Sequence, residues 1–334
     1  MASNVEALKR AIDSNDVLRV QALITADPSL HRAPLGYGKD GPLTWVAECR
    51  VPSEPPSTGR LAMARFLIEN GSDVHQGGDG PLMRAALNGD RVAMMELLVA
   101  HGADVNARWH GDYPILFAAC EAVDPVSLRW LLEHGADPVC GALDYVIGSY
   151  ARSAELPACI DVLLAHGAVT KYDLPGVLPV LRGQLDELAA LLQADGALAT
   201  RQYPELNFGT SGGRMLTLAG ATLLHVAAEY QRVQAVRMLL DAGADVNARA
   251  LVNDAGIGGQ TAIFHAATQF EDGGLDVVRL LLERGADLAI RARVPGHYER
   301  LWETFEGTVL GYALQFPGGK TRTVALLRQH GAPQ

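Results

Sequence analysis

A chain of 334 residues, 49% hydrophobic and 20% charged, has the composition of a folded protein with a core and not of a disordered chain. A formal charge of −10 and an isoelectric point near 5.5 argue against wrapping nucleic acid or an anionic membrane, both of which recruit Lys and Arg clusters that no segment supplies. The opening MASNVEALKRAIDSNDV has no apolar leader core and no later stretch reaches the ~18 apolar residues of a membrane helix, so a cytoplasmic location is expected, with a protein or a small molecule as partner.

Along the chain the helix signals come in pairs. The first pair, NVEALKRAIDSNDVLRVQALITADP, carries Glu6, Lys9, Arg10 and Asp13, as the polar outer face of an end cap would. After it one terminal phrase recurs: LLVAHGADVNAR to Arg108, LLEHGADPVC to Cys140, LLAHGAVTKY to Tyr172, LLDAGADVNAR to Arg249, LLERGADLAIR to Arg291, and LLRQHGAPQ at the end. A fixed period near 33 residues marks a stacked repeat, with a short first helix (TLLHVAAE), a Val/Leu-rich second helix (QAVRMLLDAG) and a Gly that ends it in a left-handed turn. Such a helix pair cannot bury its apolar face alone, so neighbours stack into a solenoid with a concave face. Cys49, Cys120, Cys140 and Cys159 show no metal-ligand spacing and are expected as buried free thiols.

GATLLHVAAEYQRVQAVRMLLDAGADVNAR, residues 220–249, resembles an ankyrin repeat over its full length, from the T-x-L-H-x-A-A start to the L-L-x-x-G-A-D-V-N end. Weaker units lie at about 4–33, 41–75, 79–108, 111–140, 141–170, 173–200, 259–292 and 307–334. The resemblance implies an all-α ankyrin-repeat solenoid of about nine helix-turn-helix units in one array, 1–334. Residues 1–40 are the amino-terminal cap, 41–200 the regular repeats, and 201–334 the repeats with long insertions, ending in a cap. The carboxyl half is also similar to a type of bacterial ankyrin protein, a likeness that implies the fold and no reaction.

Spacing between terminal glycines locates the insertions. Gly71, Gly102, Gly135, Gly167 and Gly196 follow at 31, 33, 32 and 29 residues, whereas Gly196, Gly243, Gly285 and Gly331 follow at 47, 42 and 46. The excess lies between the terminal turn and the next first helix, in TRQYPELNFGTSGGRMLTLAG (200–220), ALVNDAGIGG (250–259) and RVPGHYERLWETFEG (293–307). Three lengthened fingers at one phase are expected to form a wall beside the groove, and insertions on one face often mark a binding face. RVPSEPPSTGR (50–60) falls between two helices and is expected as a surface loop.

In ankyrin arrays one face of the first helix borders the groove, and the resemblance assigns to it Trp45, Arg84, Phe117, Tyr145, Leu178, Val226, His265 and Tyr312, joined one turn on by Glu121, Tyr230 and Gln269. His101, His134, His166 and His330 precede the terminal Gly and are expected to cover helical carbonyls; His225 is the repeat's turn histidine. His265 stands outside that pattern and is expected in the groove. His297, Tyr298, Glu299 and Arg300 form a polar set on the third finger, with Trp302 and Phe305 expected to tuck against the stack.

A metal site from His225, Glu229, His265 and His297 lacks any specific ligand signature, and GIGGQT, GTSGG and FPGGKT lack phosphate-loop order, the last being expected as a helix–helix turn. The expectation is a non-catalytic recognition protein with no cofactor and no metal, binding a protein partner through the groove and fingers. Its contacts are Trp45, Phe117, Tyr145, Tyr230, His265, Gln269, His297, Tyr298, Arg300 and Tyr312. The alternative is an enzyme or small-ligand binder with a pocket between the fingers and the seventh to ninth first helices, where His265 is the acid or base, Glu229 or Glu299 orients it, and Arg300 or Arg249 holds an anion.

Overall fold

The computed structural model describes all residues except Met1, Tyr37, Asp40, Gly212, Leu301, Pro317 and Gln334, together with the side chains of Ala2 and Ser3. Parts of three expected segments therefore lie outside the described residues: Gly212 of GTSGG, Leu301 of the third finger and Pro317 of FPGGKT.

Among the described residues the α-helices run in nine successive pairs, from Ala2–Asp13 with Val17–Ala26 to Val309–Leu314 with Thr321–Gln329, one pair in each expected repeat. The repeat at 220–249 shows why. Helix Leu223–Glu229 starts at Thr222, whose N–H and hydroxyl both meet His225 Nδ1, while His225 Nε2–H donates to the carbonyl of Gln260 in the next repeat at 3.1 Å. Every residue of that short helix is buried, whereas helix Val233–Asp241 buries only Ala235, Val236 and Leu239, one turn-spaced face. Gly243 then takes φ +92, as the terminal glycines of six other repeats also take positive φ, and a Cβ at Gly243 would meet nothing, so backbone conformation and not space demands glycine. The sixth repeat departs from this. Gly196 opens a 3₁₀ turn, Gly196–Ala199, capped by Asp195, in the manner of Asp27 before Pro28–Arg32 in the first repeat.

Of the predicted turn histidines, His101, His134 and His166 each donate from Nδ1 to the carbonyl four residues back, at 2.7 to 2.8 Å. Cys49, Cys120 and Cys159 are buried free thiols as expected, and Cys140 is half-buried. No described helix is long and apolar enough to cross a membrane.

The chain divides into two compact units, one of residues 1–146 and 158–169, the other of residues 147–157 and 170–334. In the first, the insertion after Pro42–Glu48 is a loop running to helix Thr58–Glu69, and a short ribbon pairs Arg108–Trp109 with Tyr113–Pro114. The second contains the three fingers. The first finger closes where Gln202–Tyr203 pairs with Ala221–Thr222, and the third is a hairpin, Ala292–Pro295 with Thr304–Gly307, in register Val294 to Phe305.

The fingers bond to one another along their backbones. Leu251 N–H of the second donates to Gly220 O of the base of the first at 3.0 Å. Gly258 N–H of the second donates to Arg293 O of the third at 2.7 Å, and Arg293 N–H returns a bond to Gly258 O. Met215 and Gly213 of the first meet Gly296 and Tyr298 of the third. Gly258 is required here: at φ +136 a Cβ would stand 2.1 Å from the Leu251 carbonyl oxygen.

Candidate functional site

The side chains expected in an open groove of the carboxyl half are covered. His265 has no exposed surface, Gln269, Tyr230 and Tyr312 are buried, and Val226 is buried with them. The reason is that the chain's own segments fold inward over the first helices: the first finger and the connection 149–155, between helices Ala142–Gly148 and Leu156–Ala165, around Glu229, and the third finger over Tyr312. Tyr230 donates its hydroxyl hydrogen to Ile147 O at 2.5 Å, and Tyr312 donates to Pro295 O at 2.8 Å. Both phenols are thus used inside the fold, and burial pushes both of their pKa values up.

Arg214 from the first finger and Arg152 from the 149–155 connection are the inward anchors. Both close on Glu229, the last residue of helix Leu223–Glu229, whose side chain, like that of Arg214, has no exposed surface. Arg214 Nη2 lies 2.8 and 2.6 Å from the two carboxylate oxygens, and Arg152 reaches Oε1 through Nε at 3.0 Å and Nη2 at 2.6 Å. Arg152 also caps the Ser149, Gly209 and Thr210 carbonyls and lies over the Tyr230 ring. Gln269 Nε2 donates to Glu229 Oε1 at 3.3 Å, and His265 Nδ1–H donates to Oε2 at 2.8 Å. Burial alone would raise the Glu229 carboxyl; the charges of Arg214 and Arg152 and the His265 bond outweigh it and hold the group well below the usual carboxylate range. Burial holds His265 below its ordinary value against the pull of Glu229, so the imidazole is neutral and its Nε2 has no hydrogen-bond partner.

The His265–Glu229 contact of the enzyme alternative therefore exists, yet both groups are sealed from solvent and Glu229 is saturated by cations, which leaves no face for a substrate. Glu299 lies elsewhere, on the exposed finger tip, accepting a long bond from Tyr298 Oη–H at 3.3 Å. Among the described residues no three His, Cys, Asp or Glu side chains stand close enough to hold a metal ion, and both ring nitrogens of His225 serve the Thr222 cap and Gln260.

In the tip, Tyr298 is 54% exposed and Trp302 80%, with Arg300 exposed and paired to Glu303 at 2.9 Å. His297 is half-buried and stacks on Phe316. Phe305 packs against Tyr312 as expected, but Trp302 does not tuck: it lies outside the paired strands, which end at Pro295 and begin again at Thr304. Arg249 donates from Nε to the carbonyl of Gly259 and from Nη2 to that of Arg291.

The groove residues of the first unit are half-buried. Phe117 and Tyr145 stack with centroids 4.3 Å apart, Tyr113 stands edge-on to both, and the hydroxyls of Tyr113 and Tyr145 donate to Glu121 at 2.7 and 3.1 Å. Trp45 donates its indole N–H to Asp13 under the ammonium of Lys9. Arg84 is buried beneath the Trp109 ring. Leu178, in the second unit, is half-buried.

Sequence reasoning missed Arg152 and Arg214. Glycine spacing is blind to the first, because the Gly135–Gly167 interval is an ordinary 32 residues; the signal was a seven-residue helix connection, SYARSAE, where most repeats have a tight turn. The signal for Arg214 was a cation in a glycine-rich insertion otherwise flanked by Met, Leu and Phe.

A family model described as ankyrin repeats (three copies) matches residues 56–142 and 180–292. The chain is 26% identical over 252 residues to the putative ankyrin repeat protein FPV022 of fowlpox virus, covering 72% of this chain and 42% of that one. It is 28% identical over 211 residues to the ankyrin repeat and KH domain-containing protein mask-1 of Caenorhabditis elegans, covering 62% of this chain and 7% of that one. The chain thus spans less than half the length of either relative. Among solved structures, the human ASB11 ankyrin repeat domain matches at 25% identity and a TM-score of 0.36, over 76% of this chain and 99% of that one.

Proposed function

Because this chain belongs to the ankyrin-repeat family, whose repeats act as protein-interaction modules, we propose that it recognises a protein partner, and that the tip of the third finger supplies selectivity. The supporting observation is the 80% exposure of Trp302, beside Tyr298 and Arg300, on a hairpin whose stem is fixed by strand pairing and by bonds to the other two fingers. Trp, Tyr and Arg dominate the energetics of interfaces, and a pre-ordered hairpin presents them with little further entropy lost on binding. Trp45, Phe117 and Tyr145, half-buried in the first unit, are secondary contacts in this reading, and the buried His265, Gln269, Tyr230 and Tyr312 act by holding the scaffold.

The test is capture from a lysate of the native host with the unaltered protein and a Tyr298→Ser, Arg300→Ala, Trp302→Ser variant, with proteins identified by mass spectrometry. These side chains are exposed, so circular dichroism is expected to be unchanged. The expected result is a protein lost only from the variant, and loss of one such anchor corresponds to about thirtyfold in affinity. Identical captured sets would refute the role of the tip.

A further inference from the structure

Beside the buried charges the second unit opens a cleft of about 540 Å³, within the size range of small-molecule sites. Arg152, Ser211 and Gln269 line it with buried side chains, Gln231 is half-buried, and the exposed rings of Tyr150 and Phe270 and the exposed carboxylate of Glu271 complete it.

Within the buried cluster beside the cleft the charges do not balance. Two guanidiniums, Arg152 and Arg214, share the single carboxylate of Glu229, and His265 is neutral, which leaves one positive charge in excess. Of the two arginines only Arg152 lines the cleft, its side chain 7% exposed. Its Nη1 makes a single bond, to Ser149 O, so one N–H there remains for a ligand, and the Ser211 hydroxyl and Gln231 amide stand on the same cleft. Arg152 therefore shares its counterion with a second guanidinium, and an oxyanion is the group that a guanidinium edge with neutral donors receives best. The Glu271 carboxylate, on the exposed rim of the same cleft, opposes an anion there.

We propose that this cleft is a binding site for a small organic oxyanion, a carboxylate or a phosphate, held by Arg152 with Ser211 and Gln231, while Tyr150 and Phe270 cover the apolar part of the ligand. The site is separate from the finger tip, and the tip variant is expected to retain it.

Titration calorimetry of the full chain with benzoate, phenyl phosphate and inorganic phosphate, against chloride at matched ionic strength, tests this. Arg152 itself is unsuitable for substitution because it holds the fold, so the variants are Gln231→Glu and Glu271→Gln. Saturable binding of at least one oxyanion is expected, and which of the three binds identifies the source. A negative charge on the half-buried wall should weaken it about tenfold, whereas removing the exposed rim charge should tighten it roughly two- to threefold. Absence of saturable binding by all three probes would overturn the proposal, and so would an affinity indifferent to both substitutions.

Discussion

Replacing Glu229 by Gln removes the one anion that two buried arginines share, and the effect should be large and local. The carboxylate accepts from Arg214, Arg152, Gln269 and His265, and neither it nor the Arg214 side chain has any exposed surface. Breaking one buried ion pair by deleting a partner costs about 3–5 kcal/mol because the stranded charge stays desolvated. Here one deletion strands two guanidiniums, and the amide nitrogen of Gln would face their N–H groups, which places the loss at about 5 kcal/mol. The assay is native-state hydrogen exchange on residues 207–218 and 147–152, since a repeat array need not unfold in a single step. Adding Arg214→Met to the Gln variant removes one of the two stranded charges, so it should restore about 1–2 kcal/mol, a coupling that a double-mutant cycle reads directly. A loss below about 1 kcal/mol, or two substitutions whose costs simply add, would refute the view that Glu229 is the counterion on which these segments close.

Acid should act on the same unit. Burial holds the His225 imidazole near 3 and His265 below its ordinary value. A folded-state pKa below the unfolded one means that the unfolded chain binds more protons, so the stability these neutral imidazoles retain is whole above pH ~6.5 and is lost as pH falls toward 3. His225 alone should remove about 2 kcal/mol between pH 7 and pH 5, readable as a falling urea midpoint, and a His225→Gln variant should flatten that slope. Glu229, with its pKa depressed, adds to the loss only below pH ~4.3. Gly258→Ala should disconnect the second finger from the third, because the new Cβ meets backbone that cannot move aside; amide exchange at 258 and 293 should accelerate by at least tenfold, and unchanged rates would show the pairing to be dispensable.

The repeat itself was legible because its physics is local. Thr222 and His225, three residues apart, cap the helix they open, the terminal glycines announce a left-handed turn, and apolar positions one turn apart mark the stacking face. The three fingers were legible as excess length at one phase. Their direction was not. Whether an insertion stands beside a groove or folds into it depends on a long-range partner, and Arg214 finds Glu229 only after the finger has closed. The burial of His265 accompanies that closure, that of Tyr312 comes from the third finger, and neither leaves a periodic trace in the sequence.

The covered groove also changes what the first helices are for. In an uninterrupted stack their outward face is free to take a partner, whereas here it takes the chain's own insertions, and the ionic centre fixes which insertion goes where. Apolar contacts alone would let a glycine-rich finger settle in several ways, since Met215, Leu216 and Leu218 offer similar surfaces. A buried carboxylate with two arginines admits few arrangements, because any other leaves a charge unpaired, and buried ionic groups act in this way as registry devices in some proteins. The prediction that separates registry from bulk stability is the triple replacement of Glu229, Arg152 and Arg214 by Leu, Met and Met. Stability should stay within about 2 kcal/mol of the unaltered protein, since well-packed apolar groups offset a buried ion network. The amide spectrum of residues 207–218 should broaden or double as the finger samples alternative seats. Single sharp resonances in the triple variant would show that packing, and not the charges, selects the closed finger.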